Sequence, residues 1–254
     1  MKLTEYDTDK EAIINPKLFF KMLPGCPKTL VTCFAENLVD YAVSTYPSRI
    51  IGKWHCANCT LPIYELNFNG TKIGFIMTLI GAPSAAAEYE ELFAMGVENI
   101  LVFGTCGVLD GNISDCSVIV PDIAVRDEGT SYHYLPESDE IAVNAGLFDK
   151  MTDYLANRSI KYTVGKTWTT DAVYRETKSK MLRRKEEGCI CVDMECSAIA
   201  AVARFRNKSV GQFFYAADNL DSDTYDERSI ANGARVDVKR KILDLALEMA
   251  LEIF

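Results

Sequence analysis

Apolar residues along this chain fall into short β-branched runs that alternate with stretches of helical period, the pattern of an α/β fold. Ile14-Asn15-Pro16 opens a short helix that Pro24-Gly25-Cys26-Pro27 breaks. Residues 29–34 read as a buried strand, followed by a helix over about 35–45. Residues 63–67 and 72–79 are predicted strands joined by Phe68-Asn69-Gly70-Thr71, where Asn-Gly signals a tight hairpin. A helix over 84–95 ends at Gly96, and a strand over 99–103 runs into Gly104-Thr105-Cys106-Gly107. Further strands are predicted over 116–125, interrupted at Pro121, and over 162–169 and 211–217. Helices are predicted over 144–158 and, long and amphipathic, over Val236–Ile253. There is no internal repeat, low-complexity tract or linker, so the pattern predicts a single domain over 1–254.

The stretch from Cys189 to Ala203 organises the rest. It begins as a β-branched run and becomes small and helical in period at Asp193-Met194-Glu195. Ligands of open α/β sheets bind at the carboxyl ends of strands. A Glu there can accept two hydrogen bonds from a vicinal diol such as the ribose 2′- and 3′-hydroxyls. A Met offers a polarisable surface to the sugar face. Taken alone, the two acids read as well as caps of the following helix.

Other strand ends carry polar groups too. Small residues at Gly104, Thr105, Cys106 and Gly107 allow backbone N–H groups and the Thr105 hydroxyl to approach an anion or a sugar, although no Walker lysine follows. Asp218 follows an apolar strand, where partial desolvation suits a general acid. Asp171-Ala172-Val173-Tyr174 ends another strand with an aromatic ring able to stack on a base, and a polar, aromatic loop runs from Arg126 to Tyr134. Each of these also reads as an ordinary turn.

Composition narrows the classes. The 254 residues are 48% hydrophobic, enough for a sizeable core. A formal charge of −9 argues against a nucleic-acid or anionic-membrane partner. No apolar run reaches the length of a membrane helix, and the polar N-terminus lacks a signal-peptide core. Nine scattered cysteines suit reduced thiols in a cytoplasm better than a disulfide framework. His55-Cys56-Ala57-Asn58-Cys59 holds one CxxC without the second pair a zinc ribbon needs, so no metal is expected.

Three segments together resemble the nucleoside phosphorylase family that includes hexameric purine nucleoside phosphorylases, uridine phosphorylases and methylthioadenosine nucleosidases. Val192-Asp193-Met194-Glu195-Cys196-Ser197-Ala198 resembles its V-E-M-E-A-x-A ribose segment. Gly104-Thr105-Cys106-Gly107 resembles its G-[ST]-[CA]-G turn, and Gly81-Ala82-Pro83-Ser84 its G-x-P-S turn. The resemblance implies a three-layer α/β/α fold with a mixed central sheet and cleavage of a nucleoside N-glycosidic bond. It implies that Glu195 holds the ribose hydroxyls, Met194 packs on the sugar and Asp218 protonates the base. It also assigns Val173 and Tyr174 to the base pocket, with Tyr174 the better match, and Arg228 to support of the acid. No organic cofactor is implied; phosphate is a co-substrate, and a homo-oligomer, dimer or hexamer, is expected.

Substrate and nucleophile stay open at this level. Tyr174 is followed by Arg175-Glu176-Thr177-Lys178 without the Gln-x-Arg of uridine phosphorylases, which favours purine nucleosides over uridine. The family's G-D-P-x-R phosphate loop has no counterpart after the first strand, and Val102 stands where the purine enzymes carry a second phosphate Arg. Arg49, Arg126 or a neighbouring subunit are candidates to supply that charge. Glu36 matches the region of the acid that activates water in the nucleosidases, which makes hydrolysis the alternative to phosphorolysis. A nucleoside-binding protein without turnover is a third reading, which retention of Asp218 disfavours.

Overall fold

The β-branched runs pair into one ten-stranded sheet in the computed structural model, which describes residues 2–231 and 233–254. The amino-terminal half contributes β1 (Thr29–Cys33), β2 (Ser48–His55), β3 (Thr60–Phe68), β4 (Thr71–Met77) and β5 (Asn99–Val108). Here β2, β3 and β4 form an antiparallel meander, while β1 lies parallel between β4 and β5. The second half adds β6 (Val118–Asp127), β7 (Glu140–Ala142), β8 (Tyr162–Thr170), β9 (Cys189–Asp193) and β10 (Ser209–Asn219).

These later strands close on themselves. β5 pairs with β10, β10 with β6, β6 with β8, β8 with β9, and β9 returns to β5. The sheet is therefore mixed and open on one side of β5 and curled into a circuit on the other, with β7 appended to β6.

Helices cover both faces, and the two-residue alternation of the strands decides which core each side chain joins. Val31, Leu101 and Phe103 point to one face, under α1 (Glu36–Thr45), α3 (Phe148–Asn157) and α6 (Val236–Ile253). Leu30, Ile100 and Val102 point to the other, under α2 (Ala82–Ala94) and α5 (Cys196–Arg206). Ala198 and Ala201 are fully buried on α5, and such small side chains let this helix seat closely. The expected α/β/α layering with a mixed sheet is what forms.

Several expected boundaries move. The short helix opened by Pro16 is one 3₁₀ turn, Pro16–Leu18. Gly104-Thr105-Cys106-Gly107 is not a turn but continues β5 to Val108, because both edges of the strand find partners there. The helix after Gly81 starts at Ala82, two residues early, since Gly81 adopts φ 100° and Pro83 fits the first turn. The helix expected over 144–158 begins at Phe148, because Asn144 (φ 56°) and Gly146 (φ 76°) hold left-handed backbone ahead of it. Two strands and one α-helix were not expected, β2, β7 and α4 (Lys178–Glu186), nor were the other short 3₁₀ turns.

Candidate active site

β1 ends at Cys33, and beyond that point β9 takes over the edge of β5 that β1 had occupied. Gly107 is then paired with Val192 of β9 on one side and with Asp218 of β10 on the other. This register draws three separate sequence segments to one place. Together they wall a cavity of ≈ 250 Å³, lined among others by Thr105, Gly107, Met194, Glu195 and Asp218.

Two glycines of β5 are required by close approaches. A Cβ at Gly104 would stand 2.6 Å from Phe34, whose ring lines the cavity. A Cβ at Gly107 would meet Leu220 at 2.6 Å and Val192 at 3.1 Å, and would press on Asp218 Oδ1 at 3.3 Å. Asp218 owes its direction to an irregularity: the register between β10 and β5 shifts by one residue between Ala216 and Asp218. Because side chains alternate along a strand, that shift sets the acid opposite Gly107 instead of continuing the alternation of Phe214 and Ala216.

The two acids of the Asp193-Met194-Glu195 turn divide the roles that the sequence left open. Asp193 is the cap. Its Oδ2 accepts the backbone N–H groups of Glu195 (2.8 Å) and Cys196 (2.6 Å), and its Oδ1 accepts the hydroxyls of Thr167 (3.0 Å) and Thr169 (2.9 Å). Glu195 is the one that faces the cavity. The Gly81 N–H donates to its Oε1 at 2.5 Å, so the positive-φ glycine before α2 orients the carboxylate across the site. Burial pushes Glu195 up to about 8, with the Asp193 charge adding to the rise. Asp193, equally buried but held by four donors, is pushed only to about 6.

Asp218 is also raised, chiefly by burial. The Tyr225 hydroxyl, hydrogen-bonding to it, opposes the rise, as more weakly does the Arg228 charge. Arg228 does not pair with Asp218 as the resemblance implied. Its Nε donates to Asp226 (3.2 Å) and its Nη1 to the carbonyl of Ile113 (2.8 Å), an arrangement its own φ of 38° allows. The loop carrying Tyr225 and Arg228 is fastened to α6 by Lys239, whose ammonium donates to the carbonyls of Ser229 and Ala231.

Other expected residues lie elsewhere. Val173 lines the cavity, whereas Tyr174, the anticipated ring, is 96% exposed because the 3₁₀ turn Val173–Arg175 rotates it outward. Glu36 is exposed at the start of α1 and is not among the lining residues. Arg49 is engaged by Glu65 (2.9 Å). Arg126 is buried, donating to Ser131, Ser138 and the carbonyls of Leu135 and Pro136, and so braces its own loop. Among the described residues no Lys, Arg or His lines the cavity.

Several lining residues escaped the sequence reading, Phe34, Tyr225 and Glu176 among them. Glu176, just past the 3₁₀ turn, faces the same space and is pushed up to about 7 by burial and then by the charge of Asp218. Its sequence signal was slight: an acid in a loop otherwise rich in Lys and Arg.

The family model of the Phosphorylase superfamily matches residues 36–251. The chain belongs to that superfamily. It is 30% identical over 161 residues to a protein named guanosine phosphorylase from Halorubrum lacusprofundi, covering 62% of this chain and 66% of that one. An uncharacterised protein of Acanthamoeba polyphaga mimivirus matches at 28%, covering 61% of this chain and 60% of that one. The chain thus spans less than two thirds of the length of these two relatives. A DeoD-type purine nucleoside phosphorylase from Shewanella oneidensis is 27% identical, with 68% and 73% covered. Among solved structures, uridine phosphorylase from Vibrio fischeri superposes with TM-score 0.74 at 24% identity over 92% of this chain and 94% of that one. Purine nucleoside phosphorylase from Toxoplasma gondii gives TM-score 0.74 at 19% identity, covering 96% of each chain. Solved structures named uridine phosphorylase and purine nucleoside phosphorylase thus share this fold.

Proposed function

We propose that this protein cleaves purine nucleosides by phosphorolysis, giving free base and ribose 1-phosphate, with 2-amino-6-oxopurines the preferred bases. The reading rests on one observation: Gly107 pairs with Val192 and with Asp218, so the turn bearing Met194 and Glu195 and the acid on β10 face one cavity. Glu195 accepts hydrogen bonds from the ribose 2′- and 3′-hydroxyls, and Met194 packs on the sugar. A phosphate oxygen bonds to C1′ as the C1′–N9 pair departs with the base. Asp218 delivers its proton to N7, so the base leaves neutral; a positioned acid of this kind contributes about 10²- to 10⁴-fold. The raised pKa of Asp218 favours the protonated form that this step needs. Glu176, with two acceptor oxygens, suits the N1–H and 2-amino donors of guanine, consistent with the relative named guanosine phosphorylase.

The lining without cations favours a second reading, hydrolysis by water, since a dianion among carboxylates lacks charge-assisted partners. An assembly reconciles phosphate with this lining: a neighbouring copy brings the cation, and the exposed Ile80, Val173 and Tyr174 form an apolar rim able to meet it. The deciding assay follows base release from guanosine, inosine, adenosine and uridine with and without phosphate, alongside sedimentation to establish the assembly. Phosphate-dependent release with ribose 1-phosphate sustains phosphorolysis. Free ribose formed without phosphate establishes hydrolysis, and no release from any of the four refutes both.

A further inference from the structure

The CxxC sequence lies away from the cavity, at the tip of the hairpin between β2 and β3. His55 and Thr60 form the last strand pair, and Cys56-Ala57-Asn58-Cys59 makes the loop. The Cys56 N–H donates to the Cys59 carbonyl at 3.0 Å, which closes the loop and turns both side chains to one side. The two Sγ atoms stand 3.3 Å apart. A disulfide needs about 2.05 Å, so the sulfurs must close by little more than 1 Å, a displacement within reach of χ1 adjustment.

The two thiols are unequal. Cys56 is exposed, and its Sγ donates to Asn58 Oδ1 at 2.9 Å. Cys59 is half-buried against the core cluster that includes Trp54 and Tyr89. A hydrogen bond from the Asn58 backbone, and then contact with Cys59, lower the Cys56 pKa, while its partner's is raised, chiefly by Cys56 itself. The acid felt by Cys56, Glu91 of α2, favours an uncharged reagent over an anionic one, while Glu88, felt by Cys59, is pushed up to about 8 by burial. No described disulfide engages either residue, and each of the other seven cysteines is buried or half-buried.

We infer that Cys56 and Cys59 form a reversible thiol–disulfide exchange site for low-molecular-weight disulfides. The Cys56 thiolate attacks one sulfur of the reagent, forming a mixed disulfide and expelling one thiolate, which takes up a proton. Cys59, deprotonated, then attacks Cys56 Sγ, forming the Cys56–Cys59 bond and expelling the second thiolate. The protein loses two protons and two electrons, and the reagent disulfide becomes two thiols.

The test treats the full-length protein with 2-hydroxyethyl disulfide, quenches with acid, alkylates the remaining thiols and maps all nine cysteines by mass spectrometry. The inference requires a Cys56–Cys59 disulfide with the other seven alkylated, reversed by dithiothreitol. Cys59→Ser should trap the mixed disulfide on Cys56, and Cys56→Ser should leave Cys59, half-buried where Cys56 is exposed, reacting measurably more slowly. Equal rates for the two single variants, a first adduct on Cys59, or two thiols that stay fully alkylatable would each overturn it. Neither cysteine lines the cavity, so nucleoside cleavage by the double serine variant reports on the proposed function separately.

Discussion

Replacing Glu195 by Gln should weaken catalysis and strengthen the fold, and the second effect follows from the burial of the carboxylate. Glutamine keeps the size and can still accept the Gly81 N–H, so the substitution removes charge and little else. The folded carboxyl rises from an ordinary 4.5 to about 8. A carboxyl held protonated more tightly in the folded than in the unfolded chain costs stability as pH climbs, because between these two values the folded state binds more protons. At ~1.4 kcal/mol per pH unit the ceiling on that cost is ~5 kcal/mol, reached at and above pH 8 and absent below pH 4.5. Water entering the cavity reduces it, and a residual ~2 kcal/mol still corresponds to roughly 4–8 °C in melting temperature for a chain of this size. Urea unfolding of wild type and E195Q, without nucleoside or phosphate, at pH 5 and pH 8 reads the difference. The variant's advantage must grow with pH. An advantage that is equal at both pH values, or that shrinks towards pH 8, refutes the argument that burial of this charge dominates its energetics.

Asp218→Asn should lower kcat on guanosine by about 10²- to 10⁴-fold, yet act nearly normally on 7-methylguanosine, whose base leaves neutral without a proton; parallel steady-state assays on both substrates check this. Glu176→Gln should cost guanosine about 10- to 100-fold in kcat/KM, the worth of a hydrogen bond to a charged acceptor, and change adenosine little. Because Glu176 accepts best when ionised, wild-type KM for guanosine should rise as pH falls below about 7, and the variant should lose that rise. Gly104→Ala drives a methyl to 2.6 Å from Phe34, so it should raise KM and destabilise by about 1–3 kcal/mol, measured by kinetics and urea unfolding.

How legible these features were depends on whether a residue's surroundings lie close in sequence. The β9-to-α5 stretch was readable because strand and helix periods meet there and both acids sit at the join. Which acid caps and which faces the cavity was not readable, since Gly81, Thr167 and Thr169 decide it from other elements. The edge strand β2 was missed because only Trp54 of its eight residues is fully buried, leaving no alternation to detect. Helix α4 was missed for a similar reason: Lys178–Glu186 buries Met181 alone, and apart from the exposed Leu182 the rest is charged or polar. Glu36 seemed a candidate from its place after β1, but α1 turns its first residue to solvent. Glu176 became visible only when Asp218, forty-two positions later, appeared beside it.

The shift at Ala217 separates two kinds of information carried by β10. Everything before it keeps step with β5 and builds the core, and everything after it is displaced by one position. The acid's aim is therefore stored as a count of residues, independent of the chemistry of the strand that carries it. Were β10 to keep step with β5 through this point, Ala217 would stand opposite Gly107 and Asp218 opposite Val108, on the other side of the ladder. Such a molecule would bury the same Phe213 and Tyr215 and be a folded relative with a blank site, differing only in where one extra residue is accommodated.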